Sequence, residues 1–184
     1  MLRARHAAGG DTPVQAKEGE PMKAPIQSQF KASLAMLNGA IDKCPEDLWL
    51  SSAYKHAFWR VAYHTLFYAD LYLSESVDAF QPWEKHVDEL EALGPMMHKG
   101  GKFPVEGPPY AKTDIQAYAR VILDKLPAAV DALDLDAASG FFWLPFTKLE
   151  LQIYNIRHIQ HHAGQLIERI RQECDEPVEW VGKG

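Results

Sequence analysis

A chain of 184 residues, 47% hydrophobic and 24% charged, can bury one substantial core and has the composition of a globular domain. Its net charge of −6 argues against a protein that grips nucleic acid through a basic footprint. No run reaches the ~18 apolar residues of a membrane-spanning helix. Two cysteines, Cys44 and Cys174, make neither a disulfide framework nor a C-x-x-C site, so a reduced, cytoplasmic setting is expected.

Residues 1–24 carry basic side chains without the apolar stretch of a secretory signal, and their Gly, Pro, Lys and Glu content predicts a flexible leader. The folded domain is expected over residues 25–174, followed by a short tail over 175–184. Ile26, Phe30, Leu34, Leu37 and Ile41 recur at three- and four-residue steps and predict a helix over 25–43, ended by Pro45. A second helix is predicted over 52–74. Ala57, Val61, His64, Tyr68 and Leu71 lie along one side of it, with Phe58, Thr65, Ala69 and Tyr72 beside them.

"PWEKHVDELEAL" has the form of a short extra helix, with Pro82 at its first position and Gly94 just past its end. Residues 94–113 are then rich in Gly and Pro and predict a long loop, either a lid over a site or a plain crossover. Thr113 and Gln116 have capping-box spacing and open a third helix over 114–133, striped by Ile115, Tyr118, Ile122, Leu126 and Val130. Thr147 and Glu150 repeat the device for a fourth helix over 147–173, which Leu149, Ile153, Ile156, Ile159, Ala163, Leu166 and Ile170 should turn inward. No alternating strand pattern occurs. The expected fold is all-α: a four-helix bundle with a short extra helix and a long loop between the second and third main helices.

The fourth helix contains "YNIRHIQHHAGQLIERIR", with three of the chain's eight histidines in five positions. His158 and His162 fall about 40° apart and one turn along, so both rings can reach one point on a flank of the apolar stripe. His161 points about 100° away from His162, towards solvent. A catalytic divalent ion usually takes three protein ligands, and His64, mid-helix on an inward row, is the fitting third. His56, His86 and His98 are placed at a helix start, in the short helix and in the Gly-rich loop. Three inward histidines would cost desolvation unless they shared a partner, which favours a metal ion over three separate core residues.

Ile159 occupies the glutamate position of an H-E-x-x-H zincin, and the inward glutamates of a di-iron bundle are missing. No P-loop, G-x-S-x-G or G-x-G-x-x-G motif is present, and no catalytic residue is assigned. Asn155 and Gln165, each one turn from a candidate ligand, could orient an imidazole or simply bond across a helix interface. Tyr68 could line a pocket or fill core.

"AYHTLFYADLYL" together with "NIRHIQHHAGQL" resembles the DinB/YfiT-like superfamily over roughly residues 25–173. The strongest element is the H-x-x-x-H-x-G-Q run of His158, His162, Gly164 and Gln165, with His64 matching the single histidine of the second helix. The resemblance implies a four-helix bundle holding a divalent metal, zinc or nickel, on His64, His158 and His162, commonly as a homodimer. It also implies a metal-dependent transferase or hydrolase acting on a small-molecule substrate, with a low-molecular-weight thiol as the co-substrate of some members. The alternative is a non-catalytic metal- or ligand-binding, dimer-forming bundle.

Overall fold

The computed structural model describes residues 20–96 and 99–184; most of the expected leader, Met97 and His98 lie outside them. Among the described residues the chain is all-α: α1 (Glu20–Lys43), α2 (Glu46–Trp49), α3 (Phe58–Leu71), α4 (Lys112–Ala132) and α5 (Lys148–Cys174). There is no β-strand among them, only two isolated bridges, Met96 to Lys102 and Ala138 to Thr147. The four longer helices pack as neighbours, α1 and α3 each lying against both α4 and α5. Every residue of the stripes expected on α1 and α4 is buried between them.

Several boundaries differ from expectation. The first helix begins at Glu20, so the last five residues of the expected leader are helical. The second begins only at Phe58, and residues 52–56 are bends. Arg169 on α5 donates to the His56 carbonyl (3.0 Å) while the Arg60 N–H turns to the Ala57 carbonyl, which fixes the late start. Thr113 caps nothing: α4 starts at Lys112 behind Ala111, and Gln116 instead donates to Asp42 on α1 (2.6 Å). Thr147 does cap α5, its hydroxyl accepting from the Glu150 N–H at 3.2 Å.

The short extra helix does not form. Residues 82–93 run through successive turns, with Glu89 in the left-handed region at φ 68°. Trp83, Val87 and Leu90 imitate helical spacing, but Trp83 stacks on Tyr118 (4.7 Å between centroids), Leu90 is buried and Val87 is exposed. Tertiary contact, not an amide ladder, holds the segment. The tail also has partners: the Gly184 N–H donates to the Ser28 carbonyl (3.2 Å) and Gln29 to the Gly182 carbonyl (3.1 Å), laying it along α1.

The inward face of α5 is more polar than the apolar stripe suggests. Ile153 is exposed, whereas Gln152 and Asn155 are fully buried. Gln152 donates to the Tyr72 carbonyl (2.8 Å) and Asn155 to the Ala69 carbonyl (3.1 Å). The Tyr68, Asp70 and Leu71 carbonyls already accept from Tyr72, Leu73 and Ser74, so Asn155 takes the remaining open acceptor in the last turn of α3. Just beyond, the buried Lys148 ammonium donates to the Ser74 (3.1 Å), Glu75 and Ser139 carbonyls, tying the α3 exit to the segment that enters α5.

Candidate metal centre

His64 on α3 and His158 and His162 on α5 come together where these two helices pack. One ring nitrogen from each lies within 4.8 Å of the others. The His64 and His158 Nε2 atoms are 3.1 Å apart. Imidazoles bound to one zinc at 2.0–2.1 Å would place their nitrogens about 3–4 Å apart, so small side-chain adjustments bring all three to a common ion.

Two of the rings are oriented from behind. His64 Nδ1 is 2.8 Å from the Glu91 carbonyl oxygen, which can only accept, so Nδ1 carries the proton and Nε2 presents its lone pair inward. Gln165 does the same for His162, its amide oxygen lying 3.0 Å from Nδ1. His158 is positioned by packing: its ring lies between Tyr68 and Tyr154, centroids 5.9 and 6.5 Å away, and its Nδ1 has no hydrogen-bond partner among the described residues.

The cluster stays neutral. Burial, reinforced by His158 and His162, pushes the His64 imidazole well below its usual range. Burial, then His162 and His161, takes His158 down to about 3, and burial also lowers His162. Neutral imidazoles are the form that ligates a divalent ion. The group could therefore hold one.

Beside the rings opens a pocket of about 340 Å³, walled by Tyr68, Tyr72, Trp143 and Tyr154 and roofed by residues 92–96. Tyr68 thus lines the pocket, its ring 4.8 Å from that of His64. Gln165 meets a candidate ligand. Asn155 makes no hydrogen bond to one: its Nδ2 donates to the Ala69 carbonyl and its Oδ1 has no partner among the described residues. His161 is exposed, its ring turned out of the cluster although only 4.9 Å from that of His162. His161→Ala should therefore leave metal content near wild type when measured by elemental analysis; a loss as complete as that of His162→Ala would make His161 a ligand. Gln165→Ala should weaken metal affinity by about tenfold in a competition titration, the usual effect of removing an outer hydrogen bond. An unchanged affinity would leave Gln165 as surface decoration.

Glu91 is the contributor that sequence reasoning missed, because it acts through a main-chain carbonyl that no residue type announces. Compared with family models, curated proteins and solved structures, the chain matches none.

Proposed function

We propose that this chain is a divalent-metal-binding four-helix bundle of the DinB/YfiT-like kind, a metal-dependent enzyme acting on a small molecule beside His64, His158 and His162. The observation that carries the reading is the joining of three neutral histidines, two held in the ligating tautomer, to a pocket open to solvent. A divalent ion, zinc or nickel, would supply Lewis acidity there, favouring the deprotonated form of a coordinated water or thiol. His64 and His162 would offer Nε2, while the Glu91 carbonyl and Gln165 keep those rings from turning.

The pocket wall adds a restriction on the substrate. Its described lining residues include no Lys, Arg, Asp or Glu, so a neutral, largely apolar molecule suits it. A thiol co-substrate of the glutathione type would keep its charged ends outside. A homodimer belongs to the same reading and rests on the family resemblance, and a cytoplasmic setting rests on the two free cysteines. The non-catalytic alternative suits an ion sealed from solvent, and the open pocket speaks against it.

The deciding experiment is elemental analysis of protein purified without a histidine tag. One zinc or nickel per chain that wild type carries and His158→Ala lacks supports the reading; equal metal in both proteins overturns it. A thiol-conjugation screen on the metal-loaded protein then separates the catalytic from the non-catalytic form.

A further inference from the structure

We propose a second divalent-cation site, distinct from the three-histidine cluster, built by His86, Asp88 and Glu91 in the turns that precede the pocket roof. One donor atom from each lies within 4.8 Å of the others. Glu91 is only 1% exposed, and its Oε2 has no hydrogen-bond partner among the described residues. A buried carboxylate oxygen left without a partner is costly, and a cation is what such an atom accommodates best.

His86 is prepared for the same partner. The Tyr110 hydroxyl donates to the Lys85 carbonyl (2.6 Å), so its oxygen is left to accept from the Tyr63 hydroxyl. The Tyr63 oxygen in turn accepts from His86 Nδ1 at 2.6 Å. This relay places the ring proton on Nδ1 and leaves the Nε2 lone pair facing Asp88, 3.9 Å from Oδ1. One imidazole and two carboxylates are a donor set that zinc accepts.

Lys99 now stands in the cation's place, its ammonium on Asp88 Oδ1 and 3.6 Å from Glu91 Oε1. It neutralises one of the two carboxylate charges and leaves Glu91 Oε2 unmet. A divalent ion satisfies both carboxylates and releases Lys99 to solvent. The site matters to the first centre through one residue, because the main chain of Glu91 holds His64. An ion on its side chain would fix the carbonyl that sets the His64 tautomer, together with the roof residues that follow it.

The test is a zinc titration of the metal-free full chain, followed by calorimetry and by elemental analysis after gel filtration. Two ions per chain are expected in the wild-type protein. Asp88→Asn and Glu91→Gln should each lose one of them, His158→Ala the other, and Lys99→Met should tighten the second site at least about fivefold by removing a competing charge. Glu91→Gln keeps the carbonyl that His64 uses, and if it does not fold, the exposed Asp88→Asn decides alone. Zinc uptake by wild type and Lys99→Met that is insensitive to Asp88→Asn overturns the second site. Uptake unchanged in His158→Ala overturns the first centre only, and Asp88→Asn still decides the second.

Discussion

His158→Ala should strip the ion from the three-histidine centre, lowering its affinity by more than about 100-fold in a chelator competition. Loss of a direct ligand exceeds the 10- to 100-fold effect of losing an outer partner. His158 is the sharpest choice because its Nε2 lies 3.1 Å from that of His64 and its ring sits between Tyr68 and Tyr154, so no other described side chain can take its place. The truncation leaves a small cavity at the pocket wall, so the variant should fold, and circular dichroism checks that. An ion retained at wild-type affinity would show that the histidines are core residues only.

The same histidines set a pH dependence for the metal-free protein. In the unfolded chain each imidazole titrates near 6.5, whereas in the folded chain burial holds His158 down to about 3. Below pH 6.5 the unfolded state therefore takes up protons that the folded state refuses. Stability should fall as pH drops through that window, by about 1.4 kcal/mol per pH unit for each such histidine, and level off near the folded value. Denaturant midpoints between pH 7 and pH 4 measure the slope. Bound metal raises stability across this window without removing the slope, because the ion binds only the folded, neutral form.

Gly140→Ala should destabilise the fold by about 2–5 kcal/mol, the sum of a left-handed backbone cost and an overpacked contact. Gly140 has φ +83°, and an added Cβ would fall 2.1 Å from the Glu75 carbonyl oxygen. That oxygen is backbone, and the buried Lys148 ammonium donates to it, so it cannot retreat without breaking a second contact. Thermal unfolding of the purified variant is the measurement; a melting temperature equal to wild type would mean that residues 133–147 shift freely. Gly164→Ala, where an added Cβ meets nothing within 4 Å, is the matched control.

The three-histidine cluster was legible in the sequence because a four-residue step and an inward row are geometric facts of a helix, independent of neighbours. The Thr147 cap was legible for the same local reason. The turns at 82–93 were not, since Trp83 and Leu90 answer to Tyr118 and the core, which lie far along the chain. Thr113 carried the right letters in the wrong frame: Ala111 opens α4, and Gln116 found Asp42. The exposure of Ile153 follows from Gln152 and Asn155, whose acceptors at the end of α3 are 80 and 86 residues away. Their carbonyls leave no trace in a pattern of side chains.

Those two amides act as a vernier between α3 and α5. Sliding either helix by one turn, about 5.4 Å, would unseat both hydrogen bonds together, so intermediate registers have nothing to hold them. His64 rides on one scale of the instrument and His158 and His162 on the other. Their mutual spacing is thus set during folding, before any ion arrives, and capture requires ring rotations but no helix movement. An ion bound at this centre would accordingly meet little cost of assembling the ligands, and its loading would be governed by the mouth of the pocket and its roof at residues 92–96.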